Sequence, residues 1–160
     1  YSISVAFVVM LWGCPYQTLV PLGEPTEKVN DKIIGSWVSQ HDFNKESPSY
    51  YLINTSDSIF YTIGHFTFND KDSSYTVKHY VAHSTTIDSN LFLNVQGVGS
   101  KDFLMHRIEL VKEGFVLHEV SDNVDEKFKS SEEMQAFFKK HMHLSFFYNK
   151  EETTLVRKSE

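Results

Sequence analysis

The sequence contains a single cysteine, Cys14, among its 160 residues. One thiol cannot form a disulfide within the chain, so the fold must rest on packing and hydrogen bonds. Basic residues are also in short supply, since 15 Lys and Arg stand against 21 Asp and Glu and leave a net charge of -6. Because a negative chain repels phosphate backbones, this balance argues against binding to nucleic acid.

Long hydrophobic runs and catalytic motifs are missing as well. The longest apolar run, the eight residues from Val5 to Trp12, is shorter than the roughly 20 residues that cross a membrane. The Gly-x-Ser-x-Gly elbow of hydrolases does not occur, and the stretch "GVGS" at 97–100 leads into a predicted strand instead of a phosphate-binding helix. Ser84 and His83 cannot act as nucleophile and base, because neighbours in a strand point to opposite faces. We therefore predict that the protein is not an enzyme and has no cofactor.

What is present suits one β-rich domain. A chain of 18.5 kDa can form one domain with a hydrophobic core and is too short for two ordinary ones. Aromatic residues make up 14% of the chain, including 13 Phe and 8 Tyr. This content is typical of a sheet whose faces are filled by flat side chains.

The N-terminal stretch has the character of a signal peptide. Residues 1–13 carry no charge, and their apolar core has the length of a signal-peptide hydrophobic region. A basic segment normally precedes such a region, yet the sequence begins at Tyr1 with neither that segment nor a Met. We therefore expect the true start of the protein to lie upstream.

The four residues Leu11, Trp12, Gly13 and Cys14 resemble the lipobox of bacterial lipoproteins, in which an aliphatic, a variable and a small residue precede the cysteine. Trp12 is larger than the residue that usually stands at its position. The resemblance implies that 1–13 are cleaved off and that Cys14 becomes the lipidated first residue, with diacylglycerol on its sulfur and a further acyl chain, such as palmitate, on its amine. Two or more acyl chains anchor a protein durably, because each buried CH₂ contributes about 0.8 kcal/mol. The protein would then face the periplasm in the bacterial cell envelope, on the inner or the outer membrane.

The residues alone leave a second interpretation of Cys14 open, a buried thiol in a core segment. A catalytic thiol is disfavoured, because no charged group lies within nine residues to lower its pKa. After Cys14, the stretch 15–31 holds three of the four prolines and no periodic apolar pattern. We predict a flexible tether over 14–32. For the part from Leu19 to Leu22, an extended segment lying on the surface of the domain is an equal alternative.

From Ile33 to Lys158 the pattern changes to short β-type runs separated by turn residues. Leu104, His106, Ile108 and Leu110 share one face of a strand, as a period of two requires. Strands are predicted near 33–39, 49–55, 58–63, 65–68, 74–83, 90–96, 103–111, 114–120, 143–149 and 152–158. Turn residues between them favour antiparallel hairpins, and a meander of this many strands is most easily satisfied by closing on itself.

One helix interrupts the strands. Ser130 and Glu133 have the spacing of a capping box, and Met134, Phe137 and Phe138 form an apolar stripe. We place the helix at 131–142, before a last hairpin made of 143–149 and 152–158. In that position it would plug or cover one end of the barrel.

Two further features resemble known families. Gly35, Ser36 and Trp37 resemble the Gly-x-Trp of lipocalins and other calycins, and Arg157 stands in the last strand where those folds place an arginine over the tryptophan. The resemblance implies an antiparallel up-and-down barrel over 33–158 whose bottom is closed by a cation–π pair. The stretches "VAHSTTIDSNLFLNVQ", "HRIEL", "LHEVSDN" and "KFKSSEEMQAFF" are also similar to small bacterial lipoproteins of uncharacterised function, a similarity that implies no activity.

The eight histidines raise the question of a metal site. His79, His106 and His118 lie in apolar registers of different predicted strands, and His141 with His143 forms His-x-His. Zinc needs three or four ligands that converge, and no His-Glu-x-x-His motif or cysteine pair is present. We therefore predict no metal site and expect hydrogen-bonded histidines of the barrel or its surface.

Three functions remain open. The first is a structural or partner-docking barrel in the cell envelope, anchored by lipid, and the large aromatic side chains of the barrel favour it because they would fill the lumen. The second is a lipocalin-like barrel that binds a small hydrophobic ligand in that lumen. The third, less favoured, is an enzyme. Candidate lumen residues are Phe60, Tyr75, Val77, Phe92, Phe103 and Phe115.

Overall fold

The computed structural model describes residues 14–159, so the predicted signal peptide with Leu11, Trp12 and Gly13 lies outside the described residues. The strands are β1 (Gln17–Thr18), β2 (Gly35–Ser39), β3 (Tyr50–Thr55), β4 (Phe60–Asn69), β5 (Ser74–Ile87), β6 (Asn90–Gly97), β7 (Phe103–Val111), β8 (Gly114–Glu119) and β9 (Thr153–Arg157). The helix α1 spans Ser131–His141, and short 3₁₀ turns span Asp31–Ile33 and Ser145–Phe147. Among the described residues we find no helix with the length and hydropathy that a membrane span requires.

Strands β2 to β9 form a closed barrel of eight antiparallel strands. The barrel closes because β9 pairs with both β2 and β8, which places Trp37 opposite Arg157 and Phe115 opposite Leu155. The short β1 adds to β7 outside this ring. The predicted fold class, a mostly β, lipocalin-like antiparallel barrel with one inserted helix, is therefore confirmed.

Two details of the predicted strands are wrong. The predicted strands 58–63 and 65–68 form one strand, β4, because Gly64 stays in regular register opposite His79. The predicted strand at 143–149 is a 3₁₀ turn, Ser145–Phe147, followed by a single bridge from Tyr148 to Val120. Its aromatic run resembles a strand, but the chain turns there because Phe147 packs edge-on against Phe138 with 4.8 Å between ring centroids. The helix thus precedes the last strand and not a last hairpin.

The helix α1 begins where its sequence predicts. The Ser130 hydroxyl accepts a hydrogen bond from the Glu133 N–H at 3.2 Å, and the Glu133 carboxylate accepts one from the Lys129 N–H at 2.9 Å. However, α1 does not cover a barrel end. Phe138 contacts Phe92, which points outward from β6, so the helix lies on the outer wall. Outward apolar side chains on β6 and β7 explain this position, because they must also be covered.

The barrel therefore has two hydrophobic cores, one on each side of its wall. The lumen core consists of Ile33, Trp37, Ile53, Tyr61, Ile63, Ala82, Leu93, Val95, Ile108, Phe115 and Leu155. The outer-wall core consists of Tyr16, Leu22, Ile87, Phe92, Met105, Val120, Val124, Met134, Phe138, Met142 and Phe147.

Residues 15–30, here called the N-terminal segment, pack along the outer wall. Tyr16 and Leu22 are 5% and 0% exposed, and both belong to the outer-wall core. The Tyr16 N–H donates to the Val120 carbonyl at 2.9 Å, and the Val29 N–H donates to the Ser58 carbonyl at 2.9 Å. For the part from Leu19 to Leu22 the sequence left two alternatives open, and the structure contains the one in which this part lies on the barrel surface. A flexible tether does not fit this burial.

The β4–β5 hairpin projects beyond its neighbours. Strand β6 pairs with β5 only from Tyr80 onward, opposite Gly97. The six residues before Tyr80, at positions 74–79, are all exposed. We call the barrel end that carries this hairpin the mouth, and the opposite end, where Asp31–Ile33 crosses, the bottom.

Candidate functional site

The bottom of the lumen is closed by Trp37 and Arg157. The Arg157 guanidinium carbon lies 4.5 Å from the centroid of the Trp37 ring, a cation–π geometry. The indole N–H donates to the Ile33 carbonyl at 2.8 Å, and Arg157 donates to the Ile34 carbonyl at 3.2 Å. Gly35 has φ of +138° and no space for a Cβ beside Arg157. The structure thus brings together the two residues that the calycin resemblance pairs.

Large side chains fill the lumen above this pair. Trp37, Tyr61 and Phe115 are each at most 1% exposed, and the rings of Trp37 and Phe115 meet edge-on at 4.8 Å. The Tyr61 hydroxyl accepts from the Asn30 N–H at 2.5 Å and lies 3.1 Å from the Ser84 hydroxyl. Aromatic rings therefore occupy the space that a ligand would need in the lower lumen.

Five of the six residues predicted to line the lumen do not do so; only Phe115 points inward, into the lumen core. Phe92 and Phe103 pack outside, with the outer-wall core. Phe60 lies across the ladder from His83, on the outer face. Tyr75 and Val77 are exposed on the projecting hairpin. The prediction failed because several strands are apolar on both faces, and periodicity alone does not show which face is inside.

The upper lumen is polar. His106 Nε2 lies 3.3 Å from the Glu119 carboxylate, which also accepts from the Asn149 amide at 2.6 Å. The hydrogen bond from His106 lowers the pKa of Glu119, and burial raises the pKa of Tyr51. Tyr51 stacks on His65 at 4.2 Å, and burial lowers the pKa of that imidazole. Both oxygens of Glu119 thus have a partner, whereas His106 Nδ1 is buried without a hydrogen-bond partner among the described residues.

The histidines considered as metal ligands do not converge on one point among the described residues. His118 lies outside the barrel between Glu109, at 2.8 Å, and Glu152, at 3.3 Å. His79 is exposed on the hairpin, His141 contacts Phe137, and His143 is exposed after α1. Within residues 14–159, no three His, Cys, Asp or Glu side chains are grouped to hold a metal ion. The absence of a metal stays a prediction.

A buried polar network holds the N-terminal segment on the wall, and sequence reasoning missed it. Asn94 accepts from the Leu22 N–H at 2.6 Å and donates to the His83 carbonyl at 3.0 Å and to the Thr85 hydroxyl at 2.9 Å. His83 Nε2 lies 2.6 Å from the Gly23 carbonyl, which requires the tautomer protonated at Nε2. Burial lowers the pKa of His83, although the bond to Gly23 and nearby acidic side chains oppose this shift.

The helix completes this network from the other side. Ser131 donates to the Pro21 carbonyl at 2.8 Å, and Gln135 donates to the Leu22 carbonyl at 2.9 Å. The sequence does carry a signal for this network: the polar residues inside the apolar runs "VAHSTT" and "LFLNVQ". We use the name clamp for the side chains of His83, Thr85, Asn94, Ser131 and Gln135 together with the N-terminal segment that they bind.

Two surface clefts accompany the barrel. One, of about 1080 Å³, is lined by the β2–β3 loop, the β7–β8 hairpin and the end of β9, and borders Trp37 and Arg157. The other, of about 400 Å³, lies between α1 and the β5–β6 turn. Lys139 and Asp88 face each other there at 3.5 Å.

Cys14 is exposed at the start of the described chain. Its carbonyl accepts from the Asp122 N–H at 3.0 Å, and Pro15 bridges to Ser121. The alternative of a thiol buried in a core is therefore wrong.

No family model, curated protein or solved structure matches the chain. The description as a lipocalin-like barrel thus depends on strand order, closure and the pair at the bottom.

Proposed function

We propose that the protein is a lipid-anchored component of the bacterial cell envelope whose barrel has a structural or partner-docking role. The observation that carries this proposal is the lower lumen, which aromatic side chains fill. Trp37, Tyr61 and Phe115 occupy the barrel interior and are almost completely buried. An eight-stranded barrel either holds one small ligand or is just filled by its own side chains, and these residues favour the filled form.

The anchor is supported by the lipobox resemblance and by the position of Cys14. Its side chain is exposed, and the chain is packed on the barrel from Tyr16 onward. A lipid on Cys14 would therefore hold the barrel close to the membrane, in contrast to the long tether that the sequence suggested.

Metabolic labelling with a fatty acid tests the anchor. The protein is expressed in a bacterial host with its native start, and label on the wild type is compared with label on Cys14→Ser. We expect label on the wild type alone. Label retained on Cys14→Ser, or none on the wild type, contradicts the anchor.

Ligand binding tests the role of the barrel. We expect organic extracts of the purified protein to contain no stoichiometric lipid, and titration with a fluorescent fatty acid to show no saturable binding. Phe115→Ala removes a ring from the lumen and serves as a positive control, because an apolar cavity can accept a small apolar probe. Saturable binding by the wild type would establish the lipocalin-like alternative instead.

A further inference from the structure

The first six residues of β5, at positions 74–79, form an exposed strand edge that we call the free edge. On this side β6 stops pairing at Gly97, opposite Tyr80. The other side of the hairpin is covered, because the Phe68 N–H donates to the Ser49 hydroxyl at 3.0 Å and the Tyr75 hydroxyl donates to the Pro48 carbonyl at 3.1 Å. The hairpin is thus closed toward β3 and open toward solvent along β5.

The direction of the backbone groups along this edge follows from two observations. The Val98 N–H donates to the His79 carbonyl at 3.0 Å, so His79 directs its backbone groups to the β6 side. The β5–β6 turn has positive φ at Asp88 and Ser89 and joins Ile87 to Asn90 as a tight two-residue hairpin. The backbone groups of Ile87 therefore also point toward β6. The register contains no bulge between these points.

In an antiparallel strand, the N–H and C=O of one residue point to the same side, and the side alternates from one residue to the next. Val77 and Tyr75, two and four residues before His79, therefore direct their N–H and C=O groups out of the free edge. Nothing in the described part of the chain pairs with these four groups. Unpaired groups of this kind form a template for another strand.

We infer that the free edge pairs with the free edge of a second copy of the chain, antiparallel and about a twofold axis at Thr76. This register places Tyr75 opposite Val77 of the second copy and Val77 opposite its Tyr75. All four outward backbone groups of each copy then form hydrogen bonds across the axis. The two Thr76 residues lie directly opposite each other on the axis and form a non-hydrogen-bonded pair of the antiparallel ladder. The inference gives the docking role proposed above a partner and rests on that role, but it does not depend on the lipid anchor.

The side chains of the edge suit this register. Tyr75 and Val77 share the outer face of the hairpin, where the Tyr75 ring packs over β4. In this register Val77 of the second copy extends the same apolar face, and a β-branched side chain beside an aromatic one is a favourable cross-strand neighbour. Lys78 faces Ser74 of the second copy and lies beside the turn that carries Asp70 and Asp72 of that copy. No like charges oppose each other, so the row is complementary to itself in charge. This property favours a second copy over an unrelated strand.

The edge also lacks most of the sequence features, such as proline and several charged residues, that prevent strand edges from pairing. Residues 74–79 contain no proline and one lysine. The contact is nevertheless short, and specific stable interfaces bury about 1,200–2,000 Å². The dimer should therefore form and separate with concentration, between the low-micromolar and millimolar ranges.

Sedimentation equilibrium of the full chain tests the inference. All samples carry Cys14→Ser, so that exposed thiols cannot link two copies. Thr76→Lys and Thr76→Glu each place two like charges face to face on the axis, and each should be monomeric. An equal mixture of the two variants should form dimers again. Thr67→Lys introduces the same charge on the same face of the hairpin, opposite Thr76 but one strand back from the edge, and should associate as the parent does.

Amide hydrogen exchange gives an independent readout. At high concentration, the Tyr75 and Val77 amides should exchange more slowly than at low concentration. The Thr76 and Lys78 amides point toward β4 and should not change. Circular dichroism checks that every variant keeps the parent fold.

Three results overturn the inference. The first is a parent that stays monomeric at all concentrations, which would leave an extended segment of another protein as the occupant of the edge. The second is a dimer that persists in both Thr76 variants, which would place the interface elsewhere. The third is slowed exchange at Thr76 and Lys78 in place of Tyr75 and Val77. Each of these results leaves the fatty-acid labelling of Cys14 unaffected, so failure of the dimer and failure of the anchor can be distinguished.

Discussion

The two parts of β5 differ in how far their side chains are buried. Up to Val81 the strand is exposed or half-buried, whereas from Ala82 to Ile87 it is buried except at Thr86. Both parts carry apolar residues on their outer face, including Tyr75 and Val77 in the first and Ile87 in the second. The strand's own sequence therefore does not explain the difference. What differs is the cover, because the N-terminal segment and α1 lie over the second part alone.

The clamp shows how that cover is held. The covered part of the wall contains His83 and Thr85, and their polar groups need partners once water is excluded. The backbone of Leu22 and Gly23, together with the Asn94 amide, supplies those partners. Burial and hydrogen bonding thus select one position for the N-terminal segment.

Removing the apolar support of the cover should have the largest effect. Phe138→Ala deletes a fully buried ring that contacts Phe92 and Phe147. We expect it to lower the free energy of unfolding by about 3–5 kcal/mol, as measured by urea denaturation. Phe146→Ala, the same change at an exposed ring nearby, should cost less than about 1 kcal/mol. Equal losses in the two variants would show that α1 is not held by its buried face.

Breaking the polar network should have the next largest effect. Asn94→Ala leaves the Leu22 N–H and the His83 carbonyl without their side-chain partner. The expected loss is about 1–3 kcal/mol in the free energy of unfolding, with faster exchange of the Leu22 amide. Asn54→Ala, at an exposed position of β3, is the control and should change neither quantity. An unchanged Leu22 amide in Asn94→Ala would argue against the clamp.

Lowering the pH should weaken the cover by a smaller amount. Burial holds the pKa of His83 below its ordinary value of 6.5. As the pH falls below 6.5, His83 therefore takes up a proton in the unfolded chain but stays neutral in the folded protein. The contribution of His83 to the free energy of unfolding is complete above the unfolded-state pKa. It is lost progressively as the pH falls from that pKa to the folded-state pKa. His65 has a lowered pKa from burial and from Lys78, and contributes with the same sign.

Urea midpoints measured at several pH values check this prediction. His83→Gln should remove part of the decrease below about pH 6.5, and His65→Gln should remove a separate part. A decrease that is identical in the wild type and in both variants would assign the pH dependence to other groups.

Changes on the exposed part of β5 should have the smallest effect. Val77→Thr should alter the free energy of unfolding by less than about 0.5 kcal/mol at low protein concentration, since both side chains are solvated there. Val95→Thr, the same exchange in the lumen core, should cost about 1–3 kcal/mol because it buries a hydroxyl. Thermal or urea denaturation of the pair measures the difference. A Val77→Thr variant as unstable as Val95→Thr would mean that the free edge is covered.

The sequence was sufficient for the barrel and for α1. Alternation along 103–111 and 114–120 identified β7 and β8, and the Ser130 and Glu133 spacing placed the start of the helix correctly. These features depend on neighbouring residues, so local pattern is enough to predict them.

The outer-wall core was not predictable in this way. Phe92 and Met105 point outward, although their apolar character resembles that of lumen residues. Only the contacts with α1 and with Leu22, which is far away in sequence, show which side they occupy. For the same reason the run around Phe147 resembled a strand, and the proline-rich start resembled a free tether.

The course of the N-terminal segment also determines how the molecule responds to load. The segment follows Cys14, whose carbonyl accepts from the Asp122 N–H. It bonds next to Val120 and then to Asn94, and it reaches the bottom of the barrel at Asn30. A pulling force applied at Cys14 would therefore break these contacts one after another, beginning with the hydrogen bond from Asp122 to the Cys14 carbonyl. The closed ring of β2 to β9 would bear that force last. The segment would therefore detach from the wall before the barrel opens.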